Sequence, residues 1–179
     1  MDLRTQKVYD ALIIAFQQLL EEKSFEDITI QELCDRAKTR RATFYKHFSD
    51  KYDFFQYMLT RLRDELLSEA KQQIDADSPN EYLHIFVDLG MLFVEKNKKF
   101  LLAVKDSNIA IQMLQTITNQ TFREQHFIFV LKDEMALQFL IGGLNQCVRW
   151  WLDNMNKVTK KDMQKYMYAL VDKFTESVG

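Results

Sequence analysis

The chain has 179 residues, 47% of them hydrophobic, with 14 Phe, 8 Met and 7 Tyr, so a sizeable core can be buried. Only 4 Gly and 1 Pro interrupt it, which favours long helices joined by short loops over the many turns of a strand-rich chain. A formal charge of −2 excludes a polycation, although nucleic-acid binding depends on charge local to one face. No stretch approaches the roughly 18 uninterrupted apolar residues of a membrane span, and no secretory apolar run opens the chain, so a cytoplasmic protein without a membrane partner is expected. Cys34 and Cys147 lie far apart within apolar helical patterns and read as small core residues, so neither a disulfide, a metal nor a cofactor is expected.

Taken in order, the predicted elements are all helical, about nine of them. From Leu3 to about Lys23, Val8, Leu12, Ala15, Phe16, Leu19 and Leu20 share one helical face. Thr29 followed by Glu32 is a capping box that opens a short helix burying Ile30, Leu33, Cys34 and Ala37. After a break at Lys38-Thr39 a third short helix runs from about Arg40 to His47, and a fourth from roughly 51 to 75. Ser78-Pro79-Asn80-Glu81 combines an N-cap, Pro at the first helical position and Glu at the third, and starts a helix reaching about Lys96. A shorter helix covers Phe100 to Lys105, and another opens at Asp106-Ser107-Asn108 and continues to about Gln125. The aromatic and β-branched segment from His126 to Leu131 reads either as a helix end or as an extended linker. A strongly apolar helix then spans about Asp133 to Asn154. Thr159 to Asp162 caps the last one, which ends near Glu176.

The informative stretch is Thr29 to Lys51. Two short helices joined by a tight turn and packed on a preceding helix form a helix-turn-helix. On a helical wheel Phe44 and Phe48 point inward together, while Ala42, Thr43, Tyr45 and Lys46 spread over the other side and Arg41 stands near the N-terminal end. Between residues 36 and 51 the basic groups Arg36, Lys38, Arg40, Arg41, Lys46 and Lys51 meet Asp50 alone, whereas residues 1 to 35 are predominantly acidic. Positive charge is thus concentrated where phosphates would lie.

The run Ala37-Lys38-Thr39-Arg40-Arg41-Ala42-Thr43-Phe44-Tyr45-Lys46-His47-Phe48, followed by Ser49-Asp50-Lys51, resembles the TetR-family pattern A-G-V-S-x-[GA]-T-[LF]-Y-x-H-F-x-[ND]-K. It departs at three places. Lys38 stands for the turn Gly, Thr39 for the apolar Val and Arg40 for the N-cap Ser, so the turn is expected to be shaped differently, with Thr39 as the cap. The resemblance implies phosphate contacts from Thr29, Tyr45, His47 and Lys51, with added charge from Lys38 and Arg40. It implies base-edge contacts from Arg41, Ala42, Thr43 and Lys46. An Arg pairs with guanine O6 and N7, and Ala42 or the Thr43 methyl meets a thymine methyl. Bracing of the small domain is the other reading of Tyr45 and His47.

The resemblance also implies a division into a DNA-binding domain at residues 1–50 and an effector-binding and dimerisation domain at 51–179. The helix through Phe139 to Leu152 is apolar almost all round, which one small core cannot satisfy, and Gly142-Gly143 within it points to close approach by another helix. The resemblance implies that two copies dimerise through this helix and the last, with Gly143, Cys147, Trp150, Tyr166, Leu170 and Phe174 in the interface. A double-stranded DNA operator and a small-molecule effector complete the implied partners. Phe86, Phe93, Phe100, Phe122, Phe139 and Gln146 are the candidate lining of an effector pocket, though an aromatic stripe at helical spacing also reads as plain core. His84, Asn119 and Arg149 are further polar candidates. The function expected is a repressor released from a palindromic operator by a small apolar ligand; an activator or adaptor of the same fold, with a partner protein as effector, is the alternative. An enzyme is not expected, since HExxH, CxxC, GxSxG and Gly-rich phosphate-loop patterns are missing from the sequence.

Overall fold

Turn chemistry sets the limits of the first helices. In the computed structural model, which describes residues 3–70, 79–124 and 133–178, α1 (Leu3–Leu20) buries Leu12, Ala15, Phe16, Leu19 and Leu20 along one face. α2 (Ile30–Arg36) starts at Thr29. Its Oγ1 accepts the Glu32 N–H at 3.2 Å, and Glu32 Oε2 accepts the Thr29 N–H at 3.0 Å, the reciprocal capping box predicted. The helix stops in a Schellman turn: the Lys38 N–H donates to Asp35 O at 3.2 Å and the Thr39 N–H to Cys34 O at 2.9 Å. Such a turn needs a left-handed residue, and Lys38 supplies it with φ 51°. Lys38 thus keeps the backbone shape of the glycine it stands for, despite carrying a Cβ.

α3 (Arg41–Tyr45) follows directly. Thr39 does not cap it, contrary to expectation. Arg40 occupies the N-cap position with no side-chain hydrogen bond, and the Thr39 hydroxyl donates to Ala37 O at 3.3 Å inside the Schellman turn. α4 (Lys51–Ala70) is capped by Asp50, whose Oδ1 accepts the Tyr52 and Asp53 N–H groups, each at 2.8 Å. The remaining helices are α5 (Pro79–Lys96), α6 (Lys98–Val104), α7 (Asn108–Glu124), α8 (Glu134–Asn154) and α9 (Lys160–Val178). The fold is all-helical, with nine helices and no strand among the described residues. The expected end of α4 beyond Ala70, the Ser78 cap, and the segment from His126 to Leu131 lie outside the described residues.

The chain divides into two units, Met1–Leu62 with Lys99–Met113, and Arg63–Lys98 with Leu114–Gly179. The first unit is built on aromatic rings. Phe16 packs edge-on against Phe25 and Phe54 at 6.0 and 5.5 Å, and Phe44 meets Phe48 and Phe54 at 5.5 and 6.0 Å. Each such pair adds about 0.5–1.5 kcal/mol beyond the area it buries. Phe55 extends the cluster to Phe100 on α6 at 5.9 Å. Buried Ser107 closes the unit at the start of α7, accepting the Ala110 N–H at 3.2 Å and donating to the Glu26 carboxylate.

In the second unit α9 packs against α5 and α8. The α8 core face carries Leu137, Leu140, Ile141, Leu144 and Trp151, and the Trp151 indole donates to Val158 O at 2.9 Å. α5 and α9 share a polar seam. His84 Nε2 lies 2.8 Å from Asp172 Oδ1, its ring stacks on Tyr168 at 4.1 Å, and Asp88 accepts from Gln164 and the Tyr168 hydroxyl. Burial, reinforced by the Asp88 carboxylate, pushes the Tyr168 hydroxyl up to about 12. His84, a polar candidate for ligand binding from sequence, is thus engaged in holding α5 to α9.

Candidate nucleic-acid interface

α3 is short, so its position depends on two buried rings. Phe44 is fully buried and Phe48, in the turn that follows, nearly so; both lie in the aromatic core, as the helical wheel predicted. Fixing that side leaves Arg40, Arg41, Ala42, Tyr45 and Lys46 exposed, with Thr43 half-buried. Thr29 and Lys38 are exposed as well. Lys38, Arg40 and Lys46 have no ion pair among the described residues, so their charge is not neutralised within the chain. Arg41 places its guanidinium carbon 5.9 Å from the centroid of the Tyr45 ring, one helical turn away.

The other cations of the stretch are occupied. Arg36 forms a two-pronged pair with Glu22, Nη2 to Oε2 at 2.8 Å, which raises the arginine and lowers the glutamate from their ordinary pKa values. Lys51 turns back on the α1–α2 connection, donating to Phe25 O at 3.0 Å and Glu26 O at 2.8 Å, and burial lowers its pKa against the pull of Glu26 and Asp27. His47 is half-buried with its ring edge-on to Tyr9 at 5.3 Å, the bracing arrangement. The Thr29 hydroxyl serves the capping box. The sequence-predicted set therefore splits. Lys38, Arg40, Arg41, Ala42, Thr43, Tyr45 and Lys46 stand around α3, while Thr29, His47 and Lys51 also carry structural bonds.

Two residues of the site were not singled out from sequence. Tyr9 backs His47, and the Gln31 Oε1 accepts from Arg41 Nη1 at 3.4 Å. The spacing of Gln31 and Asp35, one turn apart on α2, was the available signal.

The candidate pocket residues are not gathered in one place. Phe86 and Phe122 pack ring on ring in the second unit, whereas Phe100 belongs to the aromatic core of the first. Phe93 is half-buried on α5. Phe139 is 72% exposed and stacks on Phe174 at 5.7 Å, and Gln146 is exposed too, so both lie on an open face of α8. Phe127 and Phe129 fall outside the described residues. Of the candidate dimer residues, Gly143 and Trp150 on α8 and Tyr166 and Leu170 on α9 are exposed, while Cys147 and Phe174 are half-buried. Cys34 is a core residue as expected, but Cys147 is only partly enclosed, and Trp150 points away from the core that Trp151 fills. A Cβ built on Gly142 or Gly143 would meet nothing within 4 Å, so no helix among the described residues approaches them. Among the described residues no group of three His, Cys, Asp or Glu side chains is placed to hold a metal, and no helix is long and apolar enough to cross a membrane.

Comparison with known proteins bears on the head. Residues 15–58 match the family model of bacterial regulatory proteins, tetR family. The chain is 35% identical over 83 residues to YxbF, an HTH-type transcriptional regulator of Bacillus subtilis (strain 168), covering 46% of this chain and 21% of that protein. It is 27% identical over 139 residues to an HTH-type transcriptional regulator of Haemophilus influenzae, covering 75% of this chain and 64% of that one. The match therefore spans about a fifth of the first relative and less than two thirds of the second. In fold the chain is similar to a TetR transcriptional regulator from Rhodococcus sp. RHA1, at 15% identity and a TM-score of 0.61 over 99% of this chain and 100% of that one. The helix-turn-helix lies inside the residues that match the tetR family model, and the relatives are regulators of the HTH type, so the head of this chain is similar to that of TetR-family regulators.

Proposed function

We propose that this protein is a DNA-binding transcriptional repressor that grips a near-palindromic operator as a homodimer and leaves it when a small apolar ligand binds. Residues 1–50 contact DNA, and residues 51–179 bind the effector and pair the subunits. The observation that carries the reading is the surface of α3, where Lys38, Arg40 and Lys46 are unpaired among the described residues and surround Ala42 and Thr43. Unpaired cations there displace counterions from phosphates, and small side chains let the helix enter a major groove.

The dimer reading rests on the other end of the chain. Met135, Phe139 and Trp150 on α8 are 78%, 72% and 50% exposed, and Tyr166 and Leu170 on α9 are 61% and 39% exposed. Large side chains at this spacing leave an exposed apolar strip on each of two packed helices, with open space at Gly142-Gly143. A second copy related by a two-fold axis covers both strips at once, and a near-palindromic operator offers two heads successive major grooves about 34 Å apart, one turn of duplex. The ligand reading is supported by the apolar interior of the second unit, where Phe86 and Phe122 meet.

Titration of the full-length protein against promoter DNA flanking its own gene, across salt, tests the reading. Neutralising ~6–10 phosphates makes affinity fall by about 10³–10⁵ between 50 and 200 mM salt. Arg41→Ala/Lys46→Ala abolishes the complex while leaving the helical circular dichroism intact. Salt-insensitive or absent binding by folded, dimeric wild type overturns it.

A further inference from the structure

Arg41 differs from the cations beside it. Arg40 and Lys46 have no side-chain partner among the described residues, whereas Arg41 is oriented on two sides. Its Nη1 donates to Gln31 Oε1 at 3.4 Å, and its guanidinium lies over the Tyr45 ring. Gln31 in turn donates through Nε2 to both carboxylate oxygens of Asp35, each at 2.8 Å. A carboxylate only accepts and a guanidinium only donates, so the amide between them has one satisfactory orientation: nitrogen toward Asp35, oxygen toward Arg41. All four residues are exposed or nearly so, on the side of the head that carries α3.

Gln31 therefore separates two opposite charges. Without its amide, the Asp35 carboxylate loses the donor that both its oxygens hold and is open to the guanidinium, and a direct carboxylate pair engages two donors side by side. With the amide in place only Nη1 is used, and the Nε and Nη2 donors remain together on one edge. That edge has the spacing of guanine O6 and N7 in the major groove.

We propose that Gln31 is a specificity-determining positioning residue: it keeps Arg41 off Asp35 and presents the guanidinium edge to one guanine in each operator half-site. This rests on the DNA-binding reading above. Arg41 reads the base; Gln31 acts through it and through Asp35.

Selection of bound duplexes from a random library by the full-length protein, followed by titration of the selected site and its single-base-pair variants, separates the two claims. Wild type selects a site with one G·C pair per half-site whose preference vanishes in Arg41→Ala. Gln31→Ala still binds the site, but its discrimination at that same base pair drops by about tenfold, within the range a bidentate contact supplies. Gln31→Ala/Asp35→Ala recovers discrimination, because the competing carboxylate is gone. A merely structural role for Gln31 would lower affinity for every variant alike and would not be rescued by removing Asp35; that result, or unchanged discrimination in Gln31→Ala, overturns the inference. If folded wild type selects no sequence at all, the operator reading falls, and this inference with it.

Discussion

On α3 the large apolar rings point inward, Phe44 and Phe48 into the aromatic cluster, and what faces solvent is charge, hydroxyl and a small methyl. On α8 the arrangement is doubled: Leu137, Leu140 and Leu144 face the core while Met135, Phe139 and Trp150 face out. The first helix is satisfied as it stands, and its exposed side is chemically suited to a polyanion. The second still has apolar surface to cover, and water is a poor cover for it. The contrast teaches that one molecule exposes two kinds of surface, one defined by charges left unpaired and the other by hydrophobic groups left unburied.

The sharpest way to break that comparison is to remove rings from each side. Phe44→Ala removes a fully buried ring from the head and is expected to cost about 3–5 kcal/mol, read as the shift in urea midpoint at constant slope. Phe139→Asp/Trp150→Asp leaves the subunit folded. It raises the dimer dissociation constant by 30-fold or more, since central interface residues contribute about 2 kcal/mol or more each. Sedimentation equilibrium reads the second effect. A variant that stays dimeric at wild-type concentrations would show that this strip is not the interface and that the α8 face needs a different cover.

How legible these two surfaces were in the sequence follows from the same difference. The head was written locally. Capping of α2 by Thr29 and Glu32, the inward pair Phe44 and Phe48, and the charge concentration all depend on neighbours within a few residues, and the structure agrees with each. What sequence could not show is long-range pairing: Arg36 reaches back to Glu22, Lys51 to the Phe25 and Glu26 carbonyls, and His47 to Tyr9. These bonds decide which cations remain available. In the C-terminal helices periodicity found the elements but not their contents. Phe139 and Phe100 look alike in an aromatic stripe, yet one lies on an open face and the other in the aromatic core of the first unit. Gly142-Gly143 reads in sequence as a place of close helix approach, and in the structure it faces open space rather than a described helix of the same chain.

A finer probe of the locally written half is the start of α2. Thr29→Ala removes the side chain that accepts the Glu32 N–H and is expected to cost about 1 kcal/mol. The opposite half of the box is pH-dependent. Lys23, then the hydroxyl and amide of Thr29, hold the Glu32 carboxyl down from 4.5 to about 2. A carboxyl lowered on folding contributes fully above its unfolded value, and that contribution disappears as pH falls from 4.5 toward 2. Glu32→Gln imitates the protonated form. Its melting temperature should therefore lie below wild type at pH 6 and converge with it across that acid window. A gap that persists unchanged at the acid end would mean the carboxylate charge is not what the head uses.

The smallest effect runs in the other direction. Lys38 holds the left-handed position of the Schellman turn, where a Cβ costs about 1–2 kcal/mol. Lys38→Gly relieves that clash but gives the unfolded chain more freedom, about 0.5–1 kcal/mol, so a net stabilisation of no more than about 1.5 kcal/mol is expected. The same change removes an exposed, unpaired charge beside α3. If that charge meets phosphate, the slope of log affinity against log salt becomes shallower by about 0.9 for each lysine lost. Lys38→Gln separates the two effects, because it removes the charge while keeping a Cβ at the left-handed position. A protein that grows more stable while its salt dependence weakens shows that the turn retains a strained residue for its charge. Greater stability with an unchanged slope would place Lys38 outside the DNA contact and shift the phosphate work to Arg40 and Lys46.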